Sequence, residues 1–182
     1  MNALREKLKN ENGLDYGSLM SCRIRQILLV CNSYDSYALE EDGRIEARIQ
    51  QEYAELNLSN PPAILRVESP SEAIDMVKEG RKFDLVMTMY NVGNSDVFSF
   101  AEQMKSLQPS TPLVLLTNST KEIHRRISEN RTTAIDHIFC WNNSTDLIIA
   151  IIKLLEDSMN AEHDILEVGV QAILLVEDSI RY

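Results

Sequence analysis

The chain has 182 residues, of which 44% are hydrophobic and 25% are charged, as in an ordinary globular domain, which excludes a disordered or fibrous chain. The net charge of −10 argues against a surface that binds nucleic acid or anionic membranes. The longest apolar run, Leu147–Ile152, is far shorter than the ~20 residues of a membrane span. Three cysteines, an odd number, favour a reducing cytoplasm over a disulfide framework.

Five short apolar runs rich in Val, Ile and Leu predict β-strands that are covered on both faces. They are Gln26–Cys31, Ala63–Val67, Phe83–Met89, Pro112–Thr117 and Ile135–Cys140. Helical periodicity separates the runs. The alternation predicts an α/β fold, a flavodoxin-like doubly wound five-stranded parallel sheet of order 2-1-3-4-5.

The predicted helices have apolar residues spaced three or four positions apart. Ser69 and Pro70 mark the start of one helix and Gly80 marks its end. The acidic run at 40–42 is interpreted as the solvated start of a helix rather than as a metal site. The helical stretches are Ile45–Leu56, Ala73–Val77, Phe98–Met104, Ile123–Ile127 and Leu147–Leu155.

The pattern divides the chain into four parts. Residues 1–24 form an N-terminal extension, and residues 25–157 form the α/β domain. Residues 158–169 are a polar connector, and residues 170–182 begin with a sixth strand-like run, Val170–Val176.

In this topology the functional crevice lies where the first and third strands end. Cys31 and Cys140 face it and are interpreted as packed free thiols, since no histidine lies at a ligand spacing from either. Asp35 and Asp96 are interpreted as loop surface. Trp141 either fills the crevice or offers a contact surface.

Residues 25–157 resemble the receiver domain of bacterial response regulators. The resemblance rests on the order of the elements, on Phe83–Val86 entering the third strand, on Asp96 in the next loop and on Thr117 ending the fourth strand. It implies a domain that phosphorylates itself on an aspartate after strand 3. Two acids after strand 1 then hold Mg²⁺, and a threonine and a lysine after strands 4 and 5 contact the phosphoryl group.

This chain departs from that pattern at nearly every chemical position. The acid-pair position holds Cys31 and Asn32, and the phosphoacceptor position holds Met89. Cys140 and Trp141 stand at the Lys-Pro position, so only the threonine is kept. We interpret the domain as a pseudo-receiver, a non-phosphorylatable regulatory and interaction module without cofactor, bound metal or enzymatic activity.

The sequence near the end of the chain resembles the sequence of the first predicted strand. Ala172–Ser179 matches Gln26–Ser33, with the acid pair Glu177 and Asp178 present. It resembles the first strand of a second, intact receiver, so we expect the chain to be a fragment of a tandem protein. We also expect Val170–Val176 to add to a sheet edge, preferably that of a second copy in a homodimer.

Further short matches resemble the N-terminal region of phosphoenolpyruvate-synthase-like multidomain proteins. They imply a context in which receiver-like domains precede a phosphotransferase, with neighbouring receiver and effector domains as partners. The matching segments are Tyr34–Tyr37, Leu39–Arg44, Glu162–Asp164 and Gly169–Gln171.

Two alternatives stay open at this point. The segment could itself belong to the working part of such a phosphotransferase, although no Gly-rich phosphate loop occurs in it. It could also be a thiol-based redox sensor that uses Cys31 and Cys140.

Overall fold

The computed structural model describes residues 20–41, 45–55, 60–92, 96–118, 133–141 and 145–171. The described strands are β1 (Gln26–Val30), β2 (Ala63–Val67), β3 (Leu85–Met89), β4 (Leu113–Thr117) and β5 (His137–Cys140). The described helices are α1 (Ser33–Glu41), α2 (Ile45–Glu55), α3 (Pro70–Lys78), α4 (Val97–Leu107) and α5 (Thr145–His163), followed by a π-helical turn (Asp164–Val168). None of these helices is long and apolar enough to cross a membrane.

The strands form one parallel sheet of order β2-β1-β3-β4-β5. The predicted fold class and strand order are therefore confirmed. In the register, Leu28 of β1 lies beside Leu65 of β2 and beside Val86 of β3. Every residue of β3 and β4 is buried, whereas β2 at the edge is mostly half-buried. The core therefore follows the central strands, whose apolar runs were continuous in the sequence.

The predicted start and stop of α3 are confirmed in atomic detail. The Oγ atom of Ser69 accepts a hydrogen bond from the N–H of Glu72 at 3.2 Å, and Pro70 is the first helical residue. Gly80 follows the helix with φ +96°, a left-handed conformation that a side chain would strain.

The interpretation of the acidic run at 40–42 as a helix start is wrong. Helix α1 begins at Ser33, directly after β1, and Glu41 is its last residue. The start is fixed by Asn32, whose Oδ1 atom accepts from the N–H of Asp35 at 2.8 Å. The helix predicted around 123–127 lies outside the described residues.

Two aspartates hold the amino ends of neighbouring strands together. The carboxylate of Asp84, just before β3, accepts from the N–H groups of Arg25 and Gln26 at 2.8 and 2.9 Å. Asp136, just before β5, accepts from the N–H of Leu113 at 2.6 Å and pairs with Lys105 at 2.7 Å. Each aspartate thus satisfies backbone donors where a strand begins.

The chain divides into two compact units, Ile24–Ala150 and a second unit made of Met1–Arg23 with Ile151–Tyr182. The first unit contains the whole sheet. The predicted connector at 158–169 is not extended, because α5 runs to His163 and the π-helical turn to Val168. In this segment the polar residues recur at helical spacing, and the side of the helix that they form is buried. A search for apolar periodicity does not detect such a helix.

That polar face belongs to the second unit and consists of Glu156, Asn160 and Asp164, which are 2%, 1% and 7% exposed. They lie four residues apart and therefore on one side of the helix. We call these three side chains the backbone clamp, because they bind the chain segment that precedes β1.

Asn160 is the centre of the backbone clamp. Its carboxamide accepts from the N–H of Cys22 and donates to the carbonyl of the same residue, both at 2.7 Å. Asp164 accepts from the N–H of Met20 at 3.2 Å, and Glu156 pairs with Arg23 at 3.3 Å. Residues 1–19 and 172–182, with the predicted strand and its acids Glu177 and Asp178, lie outside the described residues.

Candidate functional site

Four strand ends meet at the carboxyl edge of the sheet. Cys31 and Asn32 directly follow β1, while Met89, Thr117 and Cys140 are the last residues of β3, β4 and β5. The register places Thr117 beside Cys140. Because the strands are parallel, all of the degenerate receiver positions named from the sequence lie along one edge.

Cys31 is an interior thiol. The residue is 1% exposed, and its N–H donates to the carbonyl of Val67 at 3.1 Å. Burial raises the pKa of the Cys31 thiol to about 11, and the nearby charge of Arg66 offsets only part of this rise. The side chain is therefore a neutral thiol at physiological pH and neither a metal ligand nor a nucleophile.

Asn32 has a structural role. Its Oδ1 atom caps α1, and its Nδ2 atom donates to the carbonyl of Asn91 at 3.1 Å. The two hydrogen bonds join the loop after β1 to the loop after β3. An asparagine offers both a donor and an acceptor for this purpose, whereas an ionised aspartate offers acceptors only.

A small cavity lies among the strand ends. Met89 and Thr117 line it and are both 3% exposed, and its volume is about 30 Å³. The other lining residues are Asp35, Tyr90, Asn91, Leu116, Asn118 and Trp141. Such a space has room for one or two water molecules.

Trp141 fills space at this edge of the sheet. The residue is 4% exposed, and its backbone N–H donates to the carbonyl of Thr117 at 2.8 Å. Of the two alternatives left by the sequence, filling of the crevice agrees with this placement. The other does not, because a buried indole offers no exposed contact surface to a partner.

The two crevice cysteines differ in exposure and lie far apart. Cys31 is buried and Cys140 is exposed. Their strands, β1 and β5, are separated by β3 and β4. Three strand spacings amount to ~14 Å, twice the ~7 Å that limits the Cα atoms of a disulfide. The sheet therefore keeps these thiols from pairing with each other.

The two crevice aspartates have different environments. Asp96 is exposed and caps α4, since its Oδ2 atom accepts from the N–H of Ser99 at 3.0 Å. Asp35 is half-buried and lines the cavity, so its interpretation as loop surface is wrong. Burial raises the pKa of the Asp35 carboxyl, and a hydrogen bond with Asn32 lowers it by less.

Asn91 and Asn118 line the same cavity; they lie in the loops predicted to reach the crevice, but the sequence did not single them out. Each follows a strand end by one or two residues, and this position is the signal that points to them. Within the described ranges, no group of three or more histidine, cysteine or acidic side chains is placed to hold a metal ion.

Comparison with solved structures identifies the fold. The chain is similar to a CheY-like response-regulator receiver domain from Methanospirillum hungatei, with a TM-score of 0.56 and 15% identity over 76% of this chain and 98% of that one. A phosphorylated cyanobacterial phytochrome response regulator gives a TM-score of 0.51 and 20% identity over 74% and 92%. No protein-family model and no curated protein matches the sequence.

A third similar structure belongs to a family of redox sensors of streptococci that evolved from two-component response regulators. Its TM-score is 0.57 with 15% identity, over 86% of this chain and 59% of that one. Together with the strand order, these similarities give the chain the fold of response-regulator receiver domains.

Proposed function

We propose that this chain is a regulatory and interaction module with a receiver fold that takes up no phosphoryl group at the end of β3. The observation that carries the proposal is the placement of Met89. The resemblance to receivers assigns the phosphoacceptor to this position, where a thioether, 3% exposed, is packed into the core.

Among the described residues, the positions that the resemblance assigns to most of the other reacting groups hold different residue types. Autophosphorylation needs a carboxylate nucleophile, a divalent cation and a cation that neutralises the phosphoryl oxygens. Cys31 is a buried neutral thiol, and Asn32 is bound to two backbone groups. At the end of β5, Cys140 and Trp141 provide no positive charge.

The test is incubation with Mg²⁺ and acetyl phosphate, followed by intact-mass measurement. We expect no mass increase, while the phosphorylated cyanobacterial regulator with a similar fold serves as the positive control. Met89→Asp should also stay unmodified, since Cys31, Asn32 and Cys140 still occupy the positions of the metal-binding acids and of the lysine. A stoichiometric gain of one phosphoryl group by the natural chain, on Asp35 or Asp96, would overturn the proposal.

The proposal also concerns the kind of protein in which this module occurs. We infer a larger bacterial signalling or metabolic protein of the cytoplasm, resembling phosphoenolpyruvate-synthase-like proteins, in which neighbouring receiver and effector domains are the partners. Val170–Val176 and the acid pair would begin the next receiver. Light scattering on this chain and on one ending at Gly169, which keeps α5 and the backbone clamp, tests the expected homodimer, because equal masses would rule out association through the C-terminal strand.

A redox function is the second candidate, favoured by the fold similarity to the streptococcal redox sensors. It would have to use Cys140, since Cys31 is buried and cannot reach it. Mass spectrometry after mild peroxide treatment separates the candidates. Selective sulfenic acid at Cys140 would favour the sensor, whereas equal oxidation of Cys22 and Cys140 would reflect exposure alone.

A further inference from the structure

The C-terminal half of α5 and the π-helical turn after it have an unusual number of exposed apolar side chains. Seven large hydrophobic residues are exposed in the described part of the chain, and four of them are Leu154, Met159, Ile165 and Leu166. The exposed fraction of Leu166 is 71%. Apolar residues scattered singly over a surface are ordinary, whereas a contiguous group marks a place where another molecule binds.

These side chains lie on one side of the helix. Ile165 lies eleven residues after Leu154, or about three turns, and Leu166 lies seven residues after Met159, or about two turns. Glu162 lies between the two pairs. The backbone clamp occupies the opposite side, since its central residue is two positions from Glu162, about 200° around the helix axis. We call the four apolar residues and Glu162 the docking face.

The charge around the docking face has one sign. From Leu154 to Gln171 the chain has five acidic residues and no lysine or arginine. Asp157, Glu162 and Glu167 are exposed, and the one histidine of this stretch is hydrogen-bonded to a clamp carboxylate at 3.0 Å. A partner that covers the apolar side chains must therefore bring positive charge to their surroundings.

Two other occupants fit this charge poorly. A second copy of the chain would bring its own five acidic residues against these, and like charges across an interface oppose association. An anionic membrane is repelled for the same reason. The distance along the helix from Leu154 to Leu166 is about 18 Å, which matches about three turns of a partner helix.

We propose that the docking face binds an amphipathic helix of a partner protein, whose apolar side is flanked by lysines and arginines. The apolar residues of such a helix, spaced three, four and seven positions apart, pack on the four apolar side chains. Its basic residues lie beside Asp157 and Glu167 and over Glu162. The inference rests on the proposed function, because it gives the interaction module a surface and a class of partner.

The probe for this face is a fluorescent peptide of about 20 leucines and lysines, with the leucines at helical spacing so that they form one side. Fluorescence anisotropy with the full chain should show saturable binding that weakens as salt is added, because exposed charges are screened. A peptide of the same composition, with the leucines scattered around the helix, should bind at least about tenfold more weakly.

Four variants of the full chain separate the docking face from the rest of the surface. Leu166→Ser should weaken binding by about tenfold or more, because less apolar surface leaves water in the complex. Glu162→Lys should weaken it several-fold, and most strongly at low salt. The matched changes Leu107→Ser and Glu102→Lys alter an exposed leucine and an exposed glutamate of α4, and they should leave binding unchanged.

The docking face would be overturned by the absence of saturable binding, by equal binding of the two peptides, or by equal affinity of Leu166→Ser and Leu107→Ser. Light scattering adds one outcome, since a dimer that Leu166→Ser separates would assign this face to a second copy. Peptide binding and phosphoryl uptake are separate measurements. Loss of binding without phosphoryl uptake removes only the docking face, whereas phosphoryl uptake with intact binding removes only the inert site at the end of β3.

Discussion

Cys31 lies at the end of a central strand, where its environment decides its chemistry. The sequence places the thiol in the crevice but gives no measure of its exposure. The structure buries it and raises the pKa of the thiol to about 11, while Cys22 and Cys140 are exposed. Reactivity of a thiol depends on access and on the thiolate fraction, and Cys31 lacks both.

We therefore expect a thiol-directed reagent to modify Cys22 and Cys140 in the native protein at neutral pH, and Cys31 only after denaturation. Peptide mapping after brief labelling measures the three rates separately. The two exposed cysteines serve as internal controls, and labelling of native Cys31 at their rate would contradict its burial.

Asp35 gives a second prediction, for the pH dependence of stability. Its pKa is raised in the folded state, so folding favours the protonated form. The protonated Asp35 carboxyl therefore contributes to the stability of the fold. This contribution is complete below the pKa of an aspartate in the unfolded chain, about 3.9, and is lost as the pH rises through the pKa of Asp35 in the folded protein. Asp35→Asn should therefore unfold at a higher urea concentration than the natural chain at about pH 7, with a gain that shrinks toward about pH 3.5.

The matched control for Asp35→Asn is Asp75→Asn, on the exposed surface of α3. It removes the same charge without the burial, so it should give no such gain at neutral pH. An unchanged or lower midpoint for Asp35→Asn at neutral pH, measured by urea titration, would contradict the burial of this carboxyl.

At the level of elements, the backbone clamp is the feature that apolar periodicity could not predict. Asn160 makes three hydrogen bonds of 2.7 Å, to the N–H and carbonyl of Cys22 and to the carbonyl of Glu156. Satisfying both backbone groups of one residue imitates the pairing of a neighbouring strand. Only the tertiary structure reveals which residue the amide binds, because 138 positions separate the partners.

Asn160→Ala should release the segment before β1. Each buried group left without a partner costs ~1–3 kcal/mol. Hydrogen exchange of the Cys22 amide should accelerate strongly in this variant. Asp157→Ala, an exposed change on the same helix, should leave that amide protected. Equal exchange in the two variants would show that the clamp does not hold the segment.

At the level of the whole molecule, the order of the strands decides which apolar residues form the core. Leu28 and Leu65 are the same residue type at paired positions of β1 and β2. Leu28 is fully buried because β1 has a strand on each side, whereas Leu65 lies on the edge strand and is half-buried.

Leu28→Ala should therefore destabilise the fold by ~2–5 kcal/mol, as large-to-small changes in a close-packed core do. Leu65→Ala, the matched control, should cost clearly less, because less apolar surface leaves water at that position on folding. Chemical denaturation of both variants measures the difference. Equal losses would contradict the assigned strand order.

Local sequence patterns determined the class of fold. Continuous Val, Ile and Leu runs fix parallel strands, and Ser69, Pro70 and Gly80 fix a helix boundary through local backbone chemistry. The residue types at the strand ends also carried the main chemical prediction, since a methionine has no oxygen that could take up a phosphoryl group, whatever surrounds it.

Tertiary structure alone decided the properties that depend on distant residues. The fit of Trp141 into the crevice, the burial of Asp35 and the helical course of residues 158–168 each require partners far away in the chain. The distance between Cys31 and Cys140 follows from strand order rather than from their own neighbours. Burial and distance depend on how the whole fold packs. A sequence pattern indicates only the local backbone conformation and the contacts between residues that are close in the chain.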